Sequence, residues 1–174
     1  MTDKLKEIFE NVNNWLSFAE AKNAALVALE STIIIGFITS DIFKTYTMFI
    51  SIIICICSFA LLISLYSFIP SIGNKTNKII QYLVKLDKQN ISKNMILFSY
   101  IAQYEEDQEG IKKYLEDIKR EYEISCEIKQ EHKDLAGEII YNSKLAVKKY
   151  KLFGFSLKII LGLIFVLIIG IIIA

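Results

Sequence analysis

Apolar residues in this chain gather into three runs set in polar sequence, and the middle run is the purest. Tyr46 to Ile69 (YTMFISIIICICSFALLISLYSFI) holds 24 residues with no charge, proline or glycine. As an α-helix it would reach roughly 36 Å, enough to cross a hydrocarbon core of about 30 Å. Water gives no reason for a helix to be apolar all round, whereas lipid does. Tyr46 and Tyr66 sit where amphipathic rings favour the interface, and Pro70 stops the helix just outside. Before this run, Lys4 to Lys22 reads as an amphipathic helix, with Leu5, Ile8, Phe9, Val12, Trp15, Leu16 and Ala19 at helical spacing. Helical character continues into Ala24 to Ile38, so Leu16 to Thr39 is expected to form the first span. Ser40 to Thr45 is short enough to make the first two spans an antiparallel hairpin. The last run, Leu152 to Ala174, carries one charge, Lys158, near its start, where a lysine can snorkel to headgroups.

Between the second and third runs the pattern changes. Ser71 to Lys151 is polar, lysine-rich and helical in periodicity, with no useful stretch of strand-like alternation. Ile79, Ile80, Leu83, Val84 and Leu86 suggest a helix carried out of the membrane, and Asn90 to Lys93 a turn. Met95 to Tyr104 is apolar but short, which predicts packing against other helices in place of insertion. The acidic stretch Glu105, Glu106, Asp107 and Glu109, followed by Gly110, reads as a loop or helix start. From Ile111 a heptad-like stripe (Ile111, Leu115, Ile118, Tyr122, Ile128, Leu135, Ile139) predicts a long helix with one buried face, in a coiled hairpin or against another copy. The expected fold is all-α, with three transmembrane helices and three segments. Residues 1–70 form the amphipathic helix and hairpin, 71–151 a cytosolic helical region and 152–174 the terminal span.

Lysines set the expected orientation. Lys4, Lys6 and Lys22 precede the first span, Lys75 through Lys151 lie between the second and third, and the hairpin turn holds only Lys44 beside Asp41. The positive-inside rule then places the N-terminus and the middle region in the cytosol and the C-terminus outside. Because the first twenty residues are polar and mixed in charge, a cleavable signal peptide is not expected.

Composition narrows the function. A hydrophobic share of 53% suits a membrane protein, and one proline and seven glycines argue against disorder. A net charge of +1 lacks the basic stripe of a nucleic-acid binder. Cys55 and Cys57 lie in a span on different helix faces and Cys126 in polar sequence; with no CxxC pair, neither a metal nor a redox site is indicated. His132, among Lys129, Gln130, Glu131 and Lys133, reads as part of a solvated helix face. No nucleophile elbow, zinc-binding HExxH, Walker loop or dinucleotide fingerprint is present, and the acidic stretch near Glu105 lacks EF-hand spacing. The pattern is that of a protein without cofactor or catalytic centre.

Two features exceed what composition requires. Glu30 would lie near mid-membrane, where a charged carboxylate costs about 2.5–3.5 kcal/mol on insertion scales. It is expected to face a neighbouring helix, to be neutral and hydrogen-bonded to Ser31, Thr32 or a partner helix, or to line a pore. The second feature is the charged collar at the cytosolic interface. Glu20 and Lys22 stand at the mouth of the first span, and Lys148 and Lys149 crowd the entrance to the third. Glu20 pairing with Lys148 or Lys149 is one expectation; lysines that serve only orientation and anionic lipid is the other.

These interface stretches resemble the transmembrane effector family of bacterial Pycsar anti-phage systems. The first signature is matched by Trp15, Phe18, Ala19, Glu20, Lys22 and Asn23. The second, ahead of the last span, is matched by Asn142, Ser143, Lys144, Ala146, Lys149, Tyr150 and Phe153. Glu20 stands where aspartate is also common, and Glu30 where the family pattern would be apolar. The resemblance implies an effector of the bacterial inner membrane that assembles as a homo-oligomer and disrupts the bilayer on an infection signal. It also implies a nucleotide cyclase or sensor protein encoded nearby, the signal being a cyclic pyrimidine mononucleotide. The chain itself lacks the strands and glycine- and arginine-bearing cassette of a cyclic-nucleotide-binding barrel, with Arg120 its one arginine, so either the helical region senses something itself or another protein does the sensing. The alternative reading is a passive membrane anchor whose cytosolic helices recruit a partner; transport fits less well, since a single ionisable residue lies deep in a span.

Overall fold

In a computed structural model, residues 1–41, 47–69 and 94–173 are described. They form five helices and no strand: α1 (Thr2–Thr39), α2 (Thr47–Tyr66), α3 (Phe98–Ile101), α4 (Gln108–Glu121) and α5 (Gln130–Ile173). The expected turns at residues 42–45 and 90–93, the helix stop at Pro70 and the helix around Ile79 to Leu86 lie outside the described residues. Contacts divide the chain into two units. A polar unit comprises Met1–Ala19 and Ile79–Lys149, and an apolar unit Glu20–Lys78 and Tyr150–Ala174. Helices α1 and α5 each contribute to both.

The polar unit is built on the amphipathic start of α1. Leu5, Ile8 and Val12, spaced by three and four, turn one fully buried stripe toward Tyr114, Leu115 and Ile118 of α4 and Ala136, Ile139 and Ile140 of α5. Met95, Ile101 and Tyr104 complete the core, so the short apolar stretch Met95 to Tyr104 packs within this unit. Asp107 starts α4 by accepting the Gly110 amide on its side chain at 2.7 Å, an N-cap bond. A Cβ on Gly110 would stand 2.3 Å from the Glu105 carbonyl oxygen, so this close approach requires glycine.

The heptad-like stripe is not one long helix. α4 ends at Glu121, Glu123 takes a left-handed φ of 51°, and the chain stays irregular until α5 begins at Gln130. Ile111, Leu115, Ile118 and Ile139 still serve one core, but from two helices that pack on each other. His132 also departs from expectation, being only 5% exposed. It occupies the third position of α5 and accepts the backbone N–H of Lys129 on Nδ1 at 3.1 Å, with Thr2 Oγ1 3.0 Å from Nε2. This is the reach-back of a capping box, with imidazole in the place usually taken by Glu or Gln. Accepting at Nδ1 leaves Nε2 as the donor to Thr2.

Within the apolar unit, three helices long and apolar enough to cross a membrane are found in α1, α2 and α5. α2 buries Ile50, Ile53, Cys57, Ala60 and Ser64, a stripe at alternating steps of three and four that turns small after Ile53. Small side chains let membrane helices approach closely. Ile53, Cys57 and Ala60 pack with Ile160 and Leu163 of α5, flanked by Ile33, Ile34 and Phe37 of α1. The other faces expose Phe49, Ile52, Ile56, Phe59 and Leu62 on α2 and Leu161, Phe165 and Val166 on α5. Such apolar surface suits acyl chains, not water.

Candidate functional site

The three apolar helices meet at a polar cluster. Glu30 of α1, Ser64 of α2 and Ser156 of α5 are all fully buried. The Ser156 hydroxyl lies 2.5 Å from Glu30 Oε1 and 3.0 Å from the Ala60 carbonyl oxygen. The Ser64 hydroxyl lies 3.2 Å from the same Oε1 and 3.0 Å from Ser156 Oγ. Each hydroxyl has one proton, so these four contacts are shared between two donors. With Glu30 ionised, both hydroxyls donate to Oε1. With Glu30 neutral, its proton goes to Ser156 and Ser156 donates onward to the Ala60 carbonyl. Oε2 has no hydrogen-bond partner among the described residues.

Of the partners expected for Glu30, the neighbouring helices supply them. Thr32 instead donates to its own helix, to the Ala28 carbonyl at 2.8 Å. Phase explains the convergence. Asn23, Leu26 and Glu30 form one buried stripe of α1, and Leu152, Ser156 and Ile160 repeat at four-residue steps on α5. Sequence reasoning found Glu30 but passed over Ser64 and Ser156. The usable signal was their register with Cys57 and Ala60 on one side and Leu152 and Ile160 on the other.

The interface residues divide between the units. In the polar unit, Asn142 donates its side-chain amide to Asn13 Oδ1 at 2.9 Å, and Lys144 pairs with Glu106 at 3.2 Å. Ser143 is fully buried, Lys149 buried and Lys148 half-buried. Trp15 lies 5.6 Å from the Phe98 ring and 6.5 Å edge-on from Phe18, which is half exposed. In the apolar unit, Lys22 stands over the rings of Tyr150 at 5.4 Å and Phe153 at 5.6 Å, joining the two signature stretches by cation–π contact. Asn23 is buried beside it in sequence and Glu20 is exposed.

A separate cavity of about 650 Å³ opens in the polar unit, lined among others by Tyr100, Tyr104, Asp107, Asp117, Lys113 and Lys144. Tyr104 donates to Asp117 at 2.7 Å, and burial followed by that carboxylate pushes its phenol well above the ordinary range. Glu105 and Glu109 join the lining, so carboxylates outnumber lysines there. That sign opposes a phosphate-bearing ligand. Among the described residues, no three His, Cys, Asp or Glu side chains converge as a metal site.

A model of the Pycsar effector protein domain matches residues 4–174. Neither a curated protein nor a solved structure matches the sequence. With its three apolar helices the chain is a multi-pass membrane protein in contact with lipid. It belongs to the Pycsar effector protein domain family, a family of non-enzymatic effectors of anti-phage defence.

Proposed function

We propose that this chain is the membrane-acting arm of an abortive defence response in the bacterial inner membrane. On an infection signal, copies associate, the packing of the three apolar helices changes, and the bilayer becomes leaky. The observation that carries the reading is the buried Glu30–Ser64–Ser156 cluster. A passive anchor has no need of a carboxylate amid three spans, where it carries an insertion cost of about 2.5–3.5 kcal/mol. Hydrogen bonds between spans hold the unit together at rest and can be exchanged for bonds between copies.

In this reading the N-terminus and the polar unit face the cytosol, following the lysine distribution. The signal is a cyclic pyrimidine mononucleotide from a cyclase encoded nearby. Its recognition falls to a partner protein; the cavity beside Tyr104 and Asp117, lined by more carboxylates than lysines, favours that assignment over binding there. Trp15, Phe18, Lys22, Asn142, Lys144 and Tyr150 belong in this reading to the membrane interface, where aromatic rings and lysines meet the headgroups.

The test is membrane potential in bacteria expressing the chain together with the proteins encoded beside it, with and without a co-expressed pyrimidine cyclase. Depolarisation and growth arrest with the cyclase are expected, and both should change in Glu30→Leu and Glu30→Gln variants. An inserted protein that leaves the potential unaltered in both conditions overturns the proposal in favour of the anchor reading.

A further inference from the structure

We infer that the leak formed by this protein selects cations over anions, and that Glu30, with Ser64 and Ser156, sets that selectivity. The inference rests on the permeabilising function proposed above and adds the class of solute that passes.

The cluster offers only oxygen. A carboxylate, two hydroxyls and the Ala60 carbonyl converge from three helices, with contacts of 2.5–3.2 Å. Oxygen ligands of this kind replace the hydration shell of hard cations, and rings of acidic side chains favour cation passage. Two further observations point outward from the cluster. Glu30 Oε2 is buried without a hydrogen-bond partner among the described residues, which leaves one oxygen of the acid to meet an ion. No lysine or arginine among the described residues forms an ion pair with Glu30.

Several other polar groups of the spans do not compete. Thr32, Thr39 and Ser51 turn their hydroxyls onto carbonyls of their own helices, at 2.8, 2.9 and 2.7 Å. Lys158 is exposed and two residues from Ser156, which puts it on a different face of α5. A path that opens between these helices therefore meets oxygen dipoles at its polar constriction and, with Glu30 ionised, a negative charge. Association of several copies brings several Glu30 carboxylates together and deepens the preference.

The experiment reconstitutes the full chain in planar bilayers, at a protein density high enough for association, and reads the reversal potential under a potassium chloride gradient. A cation-to-anion permeability ratio of about ten or more is expected for the unaltered protein. Glu30→Asp should keep the preference, Glu30→Gln should bring the ratio to about one, and Ser156→Ala should lower it partway. Conductance with equal cation and anion permeability in the unaltered protein overturns the inference and leaves the permeabilising function standing. So does a Glu30→Gln variant that conducts with full cation preference. Absence of conductance at every density leaves no leak to be selective and overturns this inference, whereas the signal-dependent function stands or falls on the depolarisation test above. The first outcome needs no variant, so a substitution that disturbs folding does not shield the inference.

Discussion

The bond between Glu30 and Ser156 ties the first span to the last, and Ser156→Ala tests its worth. The substitution removes the donor 2.5 Å from Glu30 Oε1 and leaves Ser64, at 3.2 Å, as the remaining hydroxyl on that oxygen. The Ala60 carbonyl loses less, because in a regular helix it also accepts from its own backbone. Interhelical hydrogen bonds in membranes average about 0.6 kcal/mol and reach about 1.7, whereas bonds to charged groups contribute about 1.5–3. The buried acid puts this case toward the upper membrane value, about 1–2 kcal/mol. Glu30→Leu alone has no clear sign, since relief of the insertion cost opposes loss of the bonds. A double-mutant cycle separates the two. Ser156→Ala should cost about 1–2 kcal/mol with Glu30 present and less than about 0.5 kcal/mol in Glu30→Leu, a coupling of about 0.5–2 kcal/mol. Stability is read by circular dichroism of the full chain, unfolded reversibly by denaturing detergent in mixed micelles. Equal effects of Ser156→Ala in the two backgrounds would refute the reasoning, because no shared bond would then join these residues.

Three expectations concern the polar unit. Gly110→Ala drives a methyl group against the Glu105 carbonyl and should destabilise by about 1–3 kcal/mol, lowering the midpoint of thermal unfolding. His132→Ala should cost about 0.5–2 kcal/mol through loss of the reach-back to Lys129, while His132→Gln should recover much of it; equal loss in both variants would exclude the capping role. Burial holds Tyr104 and Tyr114 in the phenol form well above the ordinary value of 10.0. Since the unfolded chain ionises these phenols near that value, their contribution is whole below about pH 10 and falls as pH rises beyond it. Alkaline titration followed at the phenolate absorbance should therefore show both tyrosines ionising only with unfolding, and normal titration of either in the folded state would contradict their burial.

The membrane helices were legible because lipid imposes a simple rule on a long stretch, and Tyr46 to Ile69 obeys it throughout; α2 follows over Thr47–Tyr66. Glu30 was legible for the same reason, as a breach of that rule. Ser64 and Ser156 were not, because an isolated serine is tolerated in an apolar helix and its significance depends on which neighbour its face meets. His132 was misread since its sequence neighbours are charged, whereas its environment follows from the position at which α5 begins. That position depends on the break after α4, where Glu123 adopts a left-handed φ of 51° without a glycine to announce it. The two-helix origin of the heptad-like stripe was hidden for the same reason: Ile118 and Ile139 keep helical phase by count, although the backbone between them is not helical.

The polar cluster also sets a schedule for biogenesis. Ser64 and Ser156 follow Glu30 by 34 and 126 residues. At a synthesis rate of about 5–20 residues per second, Ser64 emerges about 2–7 s after Glu30, and Ser156 about 6–25 s after it. The first span must therefore enter the translocon carrying an acid whose final partner does not yet exist. Of its two hydroxyl partners, only Ser64 has then been made. Ribosome-stalled chains ending between the second and third spans should retain α1 in the bilayer less firmly than the finished protein does, and losing Ser64 should matter more at that stage than after synthesis is complete.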